Sequence, residues 1–236
     1  MKRASIIVVF LTLIAIPGLA AEFSTNPNAT PWRVDFPQAE RALTTITHSA
    51  TQSIVGTNSV SCNAGGFHAD NSYLRRFDLL AFGITDQFDV TEVEVGVETA
   101  ASSTGTDQPI EIRLYSIAAA DPLVWANMTL LNTSVTTVLD TATGTVVAFP
   151  VTGSIVDPAV DHLVVEVFTP DGQATGESFF IGSNPDGQTD PSYIAAASCG
   201  ITEPTDTAAI GFAGMHIVMN VTGDVLPVEL MAFTIE

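Results

Sequence analysis

Three aspartates in two glycine-containing loops have the residue type and spacing that suit metal binding. Asp171 follows an apolar run at residues 162–168, and Asp186 and Asp190 lie in a longer loop after the run at residues 178–181. Calcium takes roughly six to eight oxygen ligands, which closely spaced loop carboxylates can supply. We therefore predict a structural calcium site formed by the three aspartates, and no other cofactor. Ordinary Asp-Gly turns without a metal are the alternative.

The sequence gives little support for catalysis. The histidines at positions 48, 68, 162 and 216 have no metal-protease spacing and lie in no recognisable nucleophile motif. A glycosidase needs two carboxylates held across a sugar, and acidic side chains of the 171–190 loops are the candidates for that pair. Aromatic residues, however, make up only 8% of the chain, so no sugar platform is evident. We predict a protein that is not an enzyme and has no catalytic residues, with a secreted hydrolase as the alternative.

Cys62 and Cys199 are the only two cysteines of the chain. In an exported protein, an even count of cysteines predicts a disulfide, because the compartment is oxidising. A bridge that closes so long a loop stabilises the fold by about 4–5 kcal/mol in the loop-entropy model. We predict the Cys62–Cys199 disulfide.

The first residues have the pattern of an export signal. Lys2 and Arg3 form a basic start, and residues 6–16 are an apolar run that is shorter than the roughly 20 residues a spanning helix requires. Small residues then predict cleavage after Ala20, or after Ala21. We predict a signal peptide at residues 1–20, no membrane span, and a secreted or cell-surface protein; an uncleaved anchor is the alternative.

The chain is strongly acidic. Loss of Lys2 and Arg3 with the signal leaves five of the seven basic side chains against 26 acidic ones. A field of this sign repels nucleic acid and anionic lipid surfaces, so we predict no nucleic-acid partner. It favours cations, although a solvated acidic surface without a specific partner is the simpler interpretation.

Alternation of apolar and polar residues predicts half-buried strands. In residues 88–98, Val93, Val95 and Val97 face one way while the glutamates and Gly96 face the other, and residues 109–115 repeat the pattern with Arg113 facing outward. A cross-strand pair of Arg113 with a glutamate is expected. The predicted core consists of Val93, Val95, Val97, Ile110, Ile112, Leu114, Leu163, Val165, Val167, Ile217 and Met219.

About ten such runs, separated by short polar turns, predict an all-β fold, an antiparallel β-sandwich of the jelly-roll kind. We place the sandwich at residues 45–223, after an extended arm at residues 21–44 and before a C-terminal segment at residues 224–236. Residues 128–151 are predicted to form a β-hairpin, and Trp125 is predicted to anchor the core. Arg75 and Arg76 are each expected to pair with a carboxylate.

Two blocks resemble a β-sandwich module of exported bacterial proteins. The first joins CNAGG (residues 62–66) to NSYLRRF (residues 71–77), and the second joins SFFIGSN (residues 178–184) to CGITEP (residues 199–204). The likeness extends over residues 45–222 and supports both the sandwich and the Cys62–Cys199 bridge. No activity is associated with that module.

The segment LPVELMAF (residues 226–233) resembles the LPVELxxF segment that precedes a type IX sorting domain in exported proteins of the Bacteroidetes kind. No sorting domain follows in the sequence, so we expect either a truncated copy or a final strand with no sorting role. Together these patterns predict a non-catalytic extracellular module that binds carbohydrate or protein, or serves surface display. A structural surface or matrix subunit is the further alternative.

Overall fold

A computed structural model describes residues 42–225 of the chain. The predicted signal peptide, nearly all of the predicted arm and the LPVELMAF segment lie outside the described residues. Every strand pair in the described part is antiparallel. The strands are β1 (Ala42–Thr47), β2 (Asn63–Ala64), β3 (Phe67–His68), β4 (Asn71–Phe77), β5 (Phe88–Ser102), β6 (Gln108–Ala118), β7 (Met128–Val138), β8 (Thr143–Ile155), β9 (Asp161–Thr169), β10 (Glu177–Ile181), β11 (Ser183–Asn184), β12 (Tyr193–Ala196), β13 (Ile201–Asp206), β14 (His216–Ile217) and β15 (Met219–Val225).

Two sheets form the sandwich. The five-stranded sheet has the order β1-β15-β5-β10, with β8 also paired to β5, and the six-stranded sheet has the order β13-β12-β4-β9-β6-β7. Two small ribbons, β11-β14 and β2-β3, accompany them, and three short 3₁₀ helices are the helical elements of the described residues, at Leu79–Phe82, Trp125–Asn127 and Ala197–Cys199. The predicted all-β sandwich is confirmed. No described helix is long and apolar enough to cross a membrane.

The core lies between the two sheets and is built from alternate residues of their central strands. All eleven residues predicted from the alternation are buried there: Val93, Val95, Val97, Ile110, Ile112, Leu114, Leu163, Val165, Val167, Ile217 and Met219. Burial of each aliphatic side chain contributes roughly 1.5–3 kcal/mol. The first described strand begins at Ala42, slightly before the predicted boundary, and the last described strand ends at Val225.

The predicted hairpin at residues 128–151 is wrong in its pairing. β7 pairs with β6 in the six-stranded sheet, whereas β8 pairs with β5 in the five-stranded sheet. The turn between β7 and β8 therefore carries the chain from one sheet to the other. Two Thr- and Val-rich runs around a turn signal look alike in sequence whether they pair with each other or cross between sheets.

The two neighbouring arginines of β4 contact carbonyl oxygens where carboxylate pairing was expected. Arg75 is fully buried and donates to the carbonyls of Ile217 and Asp190. Burial lowers its pKa to about 10, against the opposing attraction of Asp190. Arg76 donates to three carbonyls between β6 and β7 and to Nδ1 of His162. Arg75 therefore fixes the backbone of Ile217 and Asp190 inside the sandwich, and Arg76 fixes the backbone at the end of β6 and just after it.

The disulfide between Cys62 and Cys199 is present, as predicted, across a sequence separation of 137 residues. Cys62 packs with Ala69 and Ala196 in a small buried cluster. The bridge therefore joins the segment before β2 to the 3₁₀ helix between β12 and β13.

Candidate binding face

The side of the six-stranded sheet that points away from the core, here called the outer face, combines aromatic and charged side chains. It is formed where β4, β9 and β6 run side by side, so that Leu74 and Arg113 both lie opposite Glu166 in register. Because side chains alternate along a strand, the neighbours of core residues point to this face. Two adjoining areas result, one apolar and one polar.

The apolar area of the outer face is a second hydrophobic cluster. Leu74, Ile117 and Val164 are buried there, and Trp125 is among the half-buried side chains that pack against them. The indole N–H of Trp125 donates to the carbonyl of Thr202 at 2.8 Å. The prediction that Trp125 anchors the main core is therefore wrong, since it lies on the opposite side of the sheet.

The polar area of the outer face is centred on Glu166, which is fully buried. Its carboxylate accepts hydrogen bonds from Ser72 Oγ at 2.6 Å, from the Tyr115 hydroxyl at 2.7 Å and from Arg113 Nη1 at 3.3 Å. A buried charge of this kind is tolerated because several donors replace its lost hydration. Burial, followed by the bond to Glu166 and its charge, raises the pKa of Tyr115, so the phenol stays protonated as a donor.

Arg113 connects this polar area to an aromatic ring. Its guanidinium lies 4.1 Å from the centre of the Phe168 ring, and its other nitrogens contact Glu111 at 2.8 and 2.9 Å. Burial alone would lower the pKa of Arg113, but Glu166 and Glu111 outweigh it and the pKa is raised. The expected cross-strand pair of Arg113 thus exists, with Glu166 of the adjacent strand β9.

A groove of about 190 Å³ opens on the outer face. Trp125 and Phe168 contribute aromatic surface to its lining, while Ser72 and the exposed Asp70 contribute polar groups. The remaining lining comes from β12, the following 3₁₀ helix and β13: Ala195, Ala196, Ala197, Ile201 and Thr202. Since Ala196 packs against Cys62, the disulfide supports this side of the groove. Aromatic surface beside a few polar groups is typical of small-molecule sites.

A larger pocket of about 310 Å³ lies elsewhere, lined by Asp190 and Asp78 among others. His48 in this pocket donates from Nε2 to the carbonyl of Arg76 at 2.9 Å, so its Nδ1 accepts from the Thr189 hydroxyl at 2.7 Å. Desolvation, then the charge of Arg75, lowers the pKa of His48. This neutral histidine is fully occupied in holding the structure together, which leaves it no catalytic or ligating nitrogen.

The predicted calcium ligands are placed separately. Asp171 accepts from the backbone N–H of Gln173 in a turn, and Asp186 accepts from the hydroxyls of Thr51 and Ser53, which lower its pKa. Among residues 42–225, no three His, Cys, Asp or Glu side chains are grouped so as to hold a metal ion. The three predicted aspartates therefore do not form such a group. Calcium binding itself stays a prediction.

Comparison with known proteins adds no family. No protein-family model and no curated protein matches the chain. Two solved structures with similarity are those of the infectious bursal disease virus Gt strain (14% identity, TM-score 0.29) and Gx strain (12% identity, TM-score 0.27). Each match covers 80% of this chain, and the chain spans well under half of those structures, 38% and 37%.

The groove was missed in the sequence because its residues come from distant segments. Trp125, Phe168 and Ser72 belong to different parts of the chain and are brought together by pairing of β4 with β9 and by the 3₁₀ helix after β6. The low aromatic content argued against a sugar platform, yet a small groove needs few rings. The available signal was Glu166, a carboxylate within the otherwise apolar run of residues 163–168, which marks the outer face beside the groove.

Proposed function

We propose that this protein is a non-catalytic extracellular module that binds carbohydrate in the groove of the outer face. The observation that carries the proposal is the joint presence of Trp125 and Phe168 with Ser72 and Asp70 in one groove. Aromatic rings offer large apolar contact area to the C–H faces of a sugar, and hydroxyl groups need polar partners when they leave water. Sandwich folds of this kind include lectins, which is an analogy and no more.

Binding is favoured over hydrolysis by the burial of Glu166, the carboxylate at the centre of the polar area beside the groove. Glu166 has no exposed surface and is surrounded by three donors, so it cannot reach the glycosidic oxygen of a bound sugar without breaking that network. The raised pKa of Tyr115 keeps its phenol protonated, so no phenolate is present near neutral pH to act as a general base. Export is part of the proposal, supported by the disulfide, which is typical of oxidising compartments.

The test is retention of the mature protein on an array of immobilised glycans, with and without calcium, beside a panel of hydrolase substrates. We expect retention without turnover. Trp125→Ala should reduce retention by roughly ten-fold or more, as for a central aromatic contact. Trp125→Phe, which keeps an aromatic ring and much of the packing, should reduce retention less than Trp125→Ala.

The matched control is Val135→Ala on β7, because Val135 is 73% exposed and does not line the groove. Its retention should equal that of the native protein, and thermal melts should show that all variants fold. Turnover of any substrate would overturn the non-catalytic proposal. Absence of retention on every glycan would overturn carbohydrate binding and leave a protein-binding or structural role.

A further inference from the structure

The described residues contain three basic side chains of fixed charge, and each already has its donors directed at groups of the protein itself. Arg75 is buried in the core against two carbonyl oxygens. On the outer face, Arg76 donates to three carbonyls and one histidine nitrogen. A ligand that carries a carboxylate, sulfate or phosphate is normally recognised by an arginine or lysine that can turn its donors toward it.

Arg113 is the arginine of the outer face whose network reaches the groove, and its guanidinium is engaged on its edges and on one face. Nε and Nη2 contact Glu111, Nη1 contacts Glu166, and Phe168 lies against the plane. Turning this group toward an anionic ligand would strip Glu166 of its charged partner while it stays buried, which is strongly unfavourable.

No histidine lines the groove, and two of the described histidines, His48 and His162, have lowered pKa values. Burial, the largest cause in both cases, lowers the pKa of His48 and of His162, whose pKa a nearby Arg76 lowers further. Both rings are therefore neutral near neutral pH. Neither one lines the groove.

Negative charge, by contrast, is available at the groove. Asp70 lines it and is exposed. Glu203 is also exposed, and its carboxylate accepts the backbone N–H of Trp125 at 2.9 Å, which places it beside the aromatic lining. Of the two, Asp70 makes no hydrogen bond to backbone groups of the described residues, so it is the better placed to meet a charged ligand.

We propose that the groove selects glycans whose sugars carry ammonium groups, such as polymers of glucosamine, over neutral glycans and excludes acidic polysaccharides. This inference rests on the carbohydrate-binding function proposed above and specifies its ligand class. An ammonium group beside Asp70 gains attraction in a strongly acidic protein, while an anionic sugar meets repulsion without a compensating arginine among residues 42–225.

The probes are three oligosaccharide sets of equal length: chitosan oligomers, their fully N-acetylated chitin counterparts, and oligogalacturonates. Affinities are measured by calorimetry at low and at moderate salt, near pH 6 so that glucosamine is charged. Chitosan oligomers should bind more tightly than chitin oligomers by roughly two- to five-fold for each carboxylate involved. This difference in affinity should become smaller as the salt concentration rises. Oligogalacturonates should show no binding.

Asp70→Asn and Glu203→Gln keep the shape of the side chain and remove its charge. Each should therefore reduce the ratio of the affinity for chitosan oligomers to the affinity for chitin oligomers. Asp86→Asn, a charge removal outside the groove lining, should leave that ratio unchanged. Equal binding of chitin and chitosan oligomers would overturn this inference and leave carbohydrate binding intact. Binding of oligogalacturonates more tightly than chitin oligomers would overturn it as well. If none of the three sets bound and no glycan on the array retained the protein, the proposed function itself would be overturned.

Discussion

The two sheets share one core, but the faces that point away from it differ in whether other parts of the chain cover them. On the five-stranded sheet, the loop at residues 50–60 covers the middle of β5. Ile54 lies over Gly96, and Glu98, only 8% exposed, accepts the backbone N–H groups of Thr57 and Ser59. On the six-stranded sheet, the outer face has a charged network beside an open groove. The chain therefore closes one face with its own backbone and leaves the other available to a ligand.

Alternation in the sequence cannot reveal this difference. The row of β5 that was expected to face solvent contains Glu94, Gly96 and Glu98, and Gly96 and Glu98 are buried beneath the 50–60 loop. Glu94 is partly buried and accepts from Asn220 at 2.8 Å. A polar side chain marks a residue that points out of the core, but whether a loop or water meets it depends on tertiary contacts.

The largest expected effect concerns the open face, through the disulfide that supports its groove. Replacing both Cys62 and Cys199 with alanine should lower the free energy of unfolding by about 2–5 kcal/mol, because the unfolded chain regains the entropy that the long loop had lost. Urea denaturation measures the change. Glycan retention should fall as well, since Ala196 and Ala197 line the groove next to the bridge.

Ser198→Ala is the control for this change, because Ser198 is exposed and lies beside Cys199 without taking part in the bridge. It should denature like the native protein. If the double alanine variant also denatured at the native midpoint, the bridge would contribute nothing to the sandwich.

The covered face is tested at Gly182, where two backbones approach closely. A Cβ atom added there would lie 2.5 Å from the backbone carbon of Gly96 and 2.7 Å from Cδ1 of Ile54. Gly182→Ala should therefore destabilise the fold by about 1–3 kcal/mol, the usual range for overpacking. Gly56→Ala in the covering loop meets no atom within 4 Å and should leave the thermal melting temperature unchanged. Equal melting of the two variants would mean that the close approach of Gly182 to Gly96 does not constrain this face.

A smaller effect is expected at Arg113 on the open face. Arg113→Lys keeps the charge but loses the planar contact with Phe168 and the fork that reaches Glu111 and Glu166 together. We expect a loss of about 1 kcal/mol in unfolding free energy, read from chemical denaturation. Glu111→Gln, which leaves the contact of Arg113 with Glu166 in place, should lose less unfolding free energy than Arg113→Lys. A larger loss for Glu111→Gln would show that the stabilising contact of Arg113 is the one with Glu111.

Sequence reasoning predicted the parts of this protein that depend on local pattern. The core residues follow from alternation, and the disulfide follows from a cysteine count of two together with a predicted export signal. It failed where contacts over long sequence distances decide: β7 and β8 separate into different sheets, and Trp125 packs on the outer face. Calcium binding at Asp186 stays a prediction; its bonds to Thr51 and Ser53 of the distant covering loop are contacts that local pattern did not indicate.

The smallest effect is a pH dependence at His48, which joins the two sheets. His48 follows β1 of the five-stranded sheet and donates to the carbonyl of Arg76 in β4 of the six-stranded sheet. Desolvation, and then the charge of Arg75, holds the pKa of His48 below its ordinary value of 6.5. In the pH range between these values the unfolded chain binds a proton that the folded chain does not.

The stability that neutral His48 contributes is therefore complete above the unfolded pKa of about 6.5 and is lost as pH falls from there toward the lower folded pKa. Chemical denaturation between about pH 7 and pH 5 should show the native protein losing stability more steeply than His48→Gln, which cannot titrate. His162→Gln is the matched control, because burial and Arg76 lower that pKa too, and removing it should leave the His48 contribution in place. Parallel pH profiles for native protein and His48→Gln would show that protonation of His48 does not weaken the link between the covered and the open sheet. A steeper native profile would show that the two sheets depend on this one neutral ring for part of their joint stability.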